Sequence, residues 1–208
     1  MNVSHDRRWL YAAVITAFVG LAVPGAWLNF SRVLGPLDLS ALDRASTVAL
    51  ARDGELLRAF ATPEGRWRLP VQKAIVDPRF FTLLKAYEDK RFDSHGGVDY
   101  RALLRAAWQY IRHGHAVSGA STLTMQAARL LEPRSDRSFF AKARQIYRAY
   151  ELERRFSKTQ ILDIYLALAP YGGNLEGLRA ASLAYFGKEP RRLTYSEAAR
   201  LVALPQAP

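Results

Sequence analysis

The sequence predicts a mainly α protein: a helical domain behind a small β-hairpin collar, with an N-terminal transmembrane helix ahead of both. Three observations carry that prediction. Trp9 to Phe30 is a run of 22 residues without a charge, and a membrane-spanning helix needs roughly 20 predominantly apolar residues. Residues 47–60, TVALARDGELLRAF, read as strands around a central Asp53-Gly54, a strong hairpin signal. From Asp77 onward, apolar residues recur at helical spacing between marked caps and breakers.

Arg7 and Arg8 precede the apolar run, and Asn29 and Arg32 mark its exit. The basic pair places residues 1–8 in the cytoplasm as a short tail and everything after Arg32 outside. The competing reading is a cleaved signal peptide, with Pro24, Gly25 and Ala26 near a processing site. The run is longer than most signal cores, which favours an uncleaved anchor over residues 9–30. Either way the rest of the chain is exported. Residues 31–76 read as linker and β collar: Gly35 and Pro36 in the linker, then the hairpin, then Glu64-Gly65 ahead of WRLPV, a possible third short strand. Two or three strands need something to pack against.

Residues 77–208 supply the helices. Phe80, Phe81, Leu84, Tyr87 and Arg91 recur at helical spacing over 78–93, which stops at Gly96-Gly97. Asp99 reads as the N-cap of a helix to about Arg112, with Leu103, Leu104, Ala107, Trp108 and Ile111 as its apolar stripe. After the loop HGHAVSGA, Ser121 reads as the cap of a short helix ending at Pro133. A long helix runs from about Ser138 to Phe156. Ser157 with Gln160 forms a capping box for the next, which ends before Pro170. Asn174 is a candidate cap for a helix closing at Gly187. Thr194 with Glu197 forms a second box, and Pro205 ends that helix. No internal repeat is visible.

Composition narrows the chemistry. There are no cysteines, so disulfides, thiolate metal sites and a cysteine nucleophile are excluded. The net charge of +11 favours anionic partners: nucleic acid, anionic lipid headgroups or a phosphorylated substrate. Export argues against nucleic acid and leaves lipid or phosphate. The four histidines (His5, His95, His113, His115) make no zinc spacing, and neither a P-loop nor a dinucleotide fingerprint is present.

Four polar clusters remain. In AYEDKRFDSHGGVD, residues 86–99, a helix reaching His95 would put Glu88, Phe92 and His95 on one face. A carboxylate beside an aromatic and an imidazole suits acid–base work; an ordinary solvated helix end is the plainer reading. SGASTLTMQAAR, residues 118–129, offers free N–H groups at a helix start for a phosphate or sugar oxygen, or simply a serine cap. Gln126 and Arg129 share the face of Thr122. The long helix carries Lys142, Arg144, Arg148, Arg154 and Arg155, followed by Lys158, as a solvated face or as a path for a diphosphate at the membrane surface. PYGGNLEGLRAASLAYFGK, residues 170–188, has glycines for tight turns and small residues at 177, 180 and 181 for close helix packing; Asn174 is its exposed polar candidate.

Taken in order, these blocks resemble glycosyltransferase family 51, the peptidoglycan glycosyltransferases, over about residues 45–208. EDKRFDSHGGVD resembles the first motif, GASTLTMQ the second, the Lys142–Gln145 region the third, SKTQILDIYLA the fourth and GGNLEGLRAASLAYFGK the fifth. Each alone is weak; five in order is a strong signal. The resemblance implies a lysozyme-like α fold with a membrane-facing subdomain on the periplasmic side of the bacterial inner membrane. It implies coupling of the 4-hydroxyl of an incoming lipid II sugar to C1 of the growing chain, inverting that carbon and releasing undecaprenyl diphosphate. Glu88 matches the catalytic glutamate, a general base. Ser121, Thr122, Gln126, Arg129, Lys142 and Lys158 match donor-side positions. Asp89, Phe92, His95, Gln145 and Asn174 are the remaining substrate-binding candidates. The implied partners are lipid II, the glycan strand, the membrane and other cell-wall synthesis proteins, without nucleic acid.

This sequence departs from the family pattern in places. Gln145 stands where the third motif usually carries a second glutamate. Glutamine cannot act as a base and is a poor ligand for a hard cation, which weakens the case for the Mg or Mn that the family implies. Ala141, Met125 and Ala167 replace a usual arginine, glutamine and asparagine. Two-domain relatives continue into a serine transpeptidase, whereas no SxxK acylation motif is present here. The expectation is therefore a glycosyltransferase domain over 77–208, incomplete at its C-terminus and without penicillin-binding activity. Two other classes stay open: a lysozyme-type hydrolase, and a non-catalytic scaffold of a cell-wall synthesis complex.

Overall fold

The computed structural model describes residue 25 and residues 27–115, 119–133 and 138–206. Most of the 9–30 run lies outside the described residues, and the expected anchor with it. Among the described residues no helix is long and apolar enough to cross a membrane. The chain forms two compact units, residues 1–37 and 38–208. In the first, helix α1 includes residues 27–34 and exposes Trp27, Leu28 and Val33.

The second unit is mainly helical. It opens with a helical turn α2 (Ser40–Asp43) and the antiparallel hairpin β1 (Val48–Leu50) and β2 (Leu56–Ala59). The hairpin turns at Asp53-Gly54 as predicted, with Asp53 Oδ1 accepting from the Glu55 N–H at 3.1 Å. The third strand, β3 (Trp67–Arg68), does not join the hairpin. It pairs in parallel with β4 (Leu175–Glu176), which comes from the GGNLEG block. Arg68 explains the attachment: its guanidinium donates to Glu176 Oε2 at 2.9 and 2.5 Å and to the Ala41 carbonyl at 2.6 Å. A parallel partner needs a long crossover, so no local pattern could announce it.

Asp77 caps α3 (Pro78–Glu88), accepting from the Arg79 N–H at 2.9 Å, with Pro78 in the first turn. The helix ends at Glu88 rather than near residue 93, and a 3-10 turn (Phe92–Ser94) follows. Glu88, Phe92 and His95 therefore do not share a helical face. The cause is Asp89, which turns out of the helix at φ −156° and buries its carboxylate elsewhere. Asp99 caps α4 (Tyr100–His113) as expected. The apolar stripe of α4 is not a core face, however: Leu103, Leu104, Trp108 and Ile111 are exposed, and Ala102 alone is buried.

Thr122, not Ser121, caps α5 (Leu123–Leu131). Ser138 caps α6 (Phe139–Arg155), and the Ser157–Gln160 capping box opens α7 (Lys158–Leu168). Helix α8 (Leu178–Phe186) starts at Gly177, not Asn174, and closes at Gly187. A second capping box, Thr194–Glu197, opens α9 (Tyr195–Ala203), and a 3-10 turn (Leu204–Gln206) containing Pro205 ends it. At Gly177, with φ +85°, a Cβ would sit 2.8 Å from the Ala167 carbonyl oxygen. Only glycine lets β4 turn into α8 so close to α7.

Helix α5 packs against both α6 and α7, and α3 against α9. The core holds Phe80, Leu84, Phe92, Leu123, Leu152, Ile161, Leu162 and Leu166, all fully buried. The basic helix α6 is not a plain solvated face, because Arg144 and Arg148 are buried in it. Arg148 pairs with Glu132 at 2.8 Å and with Glu151 at 2.5 Å, joining the end of α5 to α6.

Candidate active site

Glu88 is the last residue of α3. That end of a helix carries its partial negative charge, an unfavourable place for a carboxylate without donors. Two arrive from distant segments. Gln126, on α5, donates from Nε2 to Glu88 Oε2 at 2.8 Å, and Gln206, in the closing 3-10 turn, donates from Nε2 to Oε1 at 2.8 Å. An ionised carboxylate only accepts, so each amide must turn its nitrogen toward it. Among the described residues Glu88 makes no ion pair, so its charge is held but not neutralised.

Asp89, next in sequence, is buried. Its carboxylate accepts from the Leu123 N–H at 3.0 Å, at the positive start of α5, and lies 2.9 Å from His95 Nε2. Thr122 adds a second tie, donating from Oγ1 to the Gly97 carbonyl at 2.5 Å. At Gly97, with φ +89°, a Cβ would meet the Ala149 carbonyl oxygen at 2.9 Å. The 95–99 loop thus rests on α6 only because residue 97 is glycine. The first and second polar clusters are in this way fixed to each other beneath Glu88.

Phe92 is fully buried, with the Lys158 ammonium 4.5 Å from its ring centre and His95 edge-on at 6.3 Å. Lys158 donates to the His95 carbonyl at 2.6 Å and pairs with Glu153 at 2.7 Å; Thr124 donates to the same Glu153 oxygen at 2.7 Å. Asp89, Phe92, His95, Thr122 and Lys158 therefore form a scaffold around the site. Asn174 stands apart: its side chain donates to the Gly65 carbonyl at 3.1 Å and its own carbonyl accepts from the Trp67 N–H at 2.9 Å. Those contacts serve the collar.

Two clefts meet at Glu88. One, of about 370 Å³, is lined by Ser121, Gln126, Arg129, Gln145 and Gln206 among others. The second, of about 510 Å³, runs past Lys90, Arg91, Arg105 and the Gly119–Thr122 segment. Beside the first, Lys142 donates to Ser121 Oγ at 2.6 Å. Burial, and then the neighbouring Arg129 guanidinium, hold the Lys142 ammonium below the ordinary lysine value. Among the described residues neither Lys142 nor Arg129 has a carboxylate partner. Arg91, in the second cleft, is clamped by Asp99. Burial would raise the Asp99 carboxyl, but the Ala102 N–H and the Arg91 guanidinium outweigh it and hold the group below its ordinary value. Under the site, burial and then the charge of Glu88 push the Tyr165 phenol up, and its buried hydroxyl has no hydrogen-bond partner among the described residues.

The donor set does not fit a hard divalent cation. Such ions take several oxygens, carboxylates foremost, whereas this cleft offers one carboxylate, Glu88, with the Ser121 hydroxyl, the amides of Gln126, Gln145 and Gln206 and the Arg129 guanidinium. No group of three metal-type donors exists among the described residues. The arrangement suits proton transfer and anion binding instead, with one oriented carboxylate able to take a proton and facing cations able to receive a negative charge.

Gln206 is the residue that sequence reasoning missed. Its only local signal is a polar side chain in an otherwise apolar closing turn, LPQAP.

Comparison with known proteins gives the setting. A family model described as Transglycosylase matches residues 53–208. The chain is 46% identical over 200 residues to penicillin-binding protein 1C of Escherichia coli (strain K12), covering 96% of this chain and 25% of that protein. It is 32% identical over 205 residues to penicillin-binding protein 1A of Pseudomonas aeruginosa, again covering 25% of the relative. With the biosynthetic peptidoglycan transglycosylase of Marinomonas sp. it shares 42% identity over 123 residues, 59% of this chain and 54% of the other. The chain thus spans about a quarter of the two penicillin-binding proteins and about half of the third relative. Because that match, from the hairpin turn past the turn that delivers Gln206, takes in well over half of the chain, the chain belongs to the transglycosylase family.

Proposed function

We propose that the chain is a peptidoglycan glycosyltransferase that polymerises lipid II, with Glu88 as its general base. The observation that carries the reading is the placement of Glu88: an oriented, unneutralised carboxylate where two clefts meet, one flanked by Arg129 and Lys142, cations without a carboxylate partner among the described residues. A sugar hydroxyl is a poor nucleophile at neutral pH and needs its proton taken as it attacks. In the proposed reaction the incoming 4-hydroxyl, bound in the cleft of Lys90 and Arg105, passes its proton to Glu88. Its oxygen bonds to C1 of the donor sugar while the bond from C1 to the diphosphate oxygen breaks. The bond pair leaves with undecaprenyl diphosphate, whose charge Arg129, Lys142, the Ser121 hydroxyl and the Gln145 amide receive.

The same reading places the protein at the bacterial inner membrane, anchored by residues 9–30, with the domain over 77–208 in a lysozyme-like arrangement on the periplasmic side. Helix α4 supports contact with lipid. Tyr100, Leu104, Trp108 and Ile111 lie on one exposed face, with Arg101, Arg105 and Arg112 along its border, as an interfacial helix requires.

Labelled lipid II tests the function. The wild-type chain should make glycan polymer, and Glu88→Gln should lose about 10²–10⁴-fold in rate. Shortening of preformed glycan would indicate a hydrolase instead. Binding of lipid II without turnover would indicate a scaffold, the reading that Gln145 in place of a carboxylate keeps in view.

A further inference from the structure

The geometry points to Gln206 as a positioning residue for Glu88, a role that deepens the transferase reading and rests on it. We propose that its amide fixes the carboxylate in the rotamer that faces the incoming hydroxyl, without neutralising its charge.

The sequence of causes begins in the core. Ala198, Leu201 and Val202 of α9 are buried, as are Phe80, Phe81 and Leu84 of α3, and the two helices pack together. Pro205 cannot continue an α-helix in register, so the chain tightens into the Leu204–Gln206 turn. That turn brings Gln206 Nε2 to 2.8 Å from Glu88 Oε1. Gln126 approaches the other oxygen from α5, also at 2.8 Å. Two donors on opposite oxygens fix the plane of the carboxylate, whereas one would leave it free to swing about that contact.

The kind of donor matters. A lysine or arginine at position 206 would form an ion pair and weaken the base. A neutral amide orients the group and leaves the charge available. An ionised carboxylate has about four lone-pair sites; the two amides use two, which leaves acceptor capacity for the substrate hydroxyl. Gln206 is exposed and lines the cleft on the Arg129 side, so its side chain is not needed to fill the core.

Steady-state polymerisation of lipid II by the full chain tests the role. Gln206→Met keeps the length of the side chain and removes the donor. It should lower kcat about tenfold, the scale of one hydrogen bond to a charged group, with KM for lipid II and Tm unchanged. Gln206→His, a neutral N–H donor at about pH 8, should recover most of kcat. A Gln206→Met variant with wild-type kcat, measured beside an inactive Glu88→Gln, overturns the positioning role and leaves the transferase reading intact. Equal losses in the Met and His variants overturn it as well, since shape rather than the donor would then be the cause. If the wild type makes no polymer, the transferase reading fails and this role fails with it.

Discussion

Lys142 shows at the scale of one residue how a site differs from a stabilising contact. Its ammonium is half-buried, lies near Arg129 and has a serine hydroxyl, not a carboxylate, as its partner. Its pKa is lowered, so charging it costs more in the folded than in the unfolded chain. Below its folded pKa that cost is fully present. As pH rises toward the ordinary lysine value of 10.5 the cost disappears, and stability should rise through that window. Lys142→Met should therefore leave Tm unchanged or raise it, and should flatten this alkaline rise, while lipid II turnover falls at least tenfold, as expected when a charge stabiliser of the leaving group is lost. Thermal melts from about pH 7 to 10.5 beside a polymerisation assay would decide; a variant that loses Tm and keeps turnover would show Lys142 to be structural. Glu88 and Lys142 could be singled out from the sequence because each lies within a recognisable block. Gln206 could not, because its contact with Glu88 exists only where α9 meets α3.

At the scale of elements, the site depends on how α3, α5 and α6 are held together. Arg148 is buried and paired with Glu132 and Glu151. Removing one partner of a buried ion pair leaves uncompensated charge. Arg148→Ala should cost about 3 kcal/mol, read by denaturant unfolding; a loss below about 1 kcal/mol would place this network among the weak surface pairs. Gly97→Ala would strain a positive φ and press a Cβ onto the Ala149 carbonyl, so both stability and polymerisation should drop together. The caps at Asp99, Ser157 and Thr194 were legible because a cap is a bond over two or three residues. The pairing of β3 with β4 was not, since its two strands are far apart in sequence. The end of α3 was missed for a related reason. Apolar spacing continues past Glu88, and what stops the helix is the distant α5 N-terminus that draws Asp89 out.

Over the whole molecule, the net charge of +11 and the exposed stripe of α4 belong together. Basic residues bordering an apolar helix face draw it to anionic lipid. A variant with Trp108 as its sole tryptophan, reconstituted into vesicles containing brominated lipid, should show quenched fluorescence, and one retaining only Trp67 should not. Leu104→Asp with Ile111→Asp should abolish the Trp108 quenching and leave Tm within about 2 °C, because exposed side chains contribute little to folding. Unchanged quenching would remove α4 from the membrane reading.

The sequence by itself determined the helical class, the helix starts at Asp99, Ser157 and Thr194, the hairpin and the motif order that identifies the family. All of these are encoded in local periodicity or in runs of adjacent residues. Only the tertiary structure decided which of the polar candidates lie together around Glu88 and which find their partners elsewhere. Phe92, His95, Thr122 and Lys158 turned inward as scaffold, Asn174 went to the collar, and Gln206 came in from the end of the chain. The reason is physical: a buried polar group must find a partner, and here nearly every partner lies on another element, beyond the reach of any local pattern.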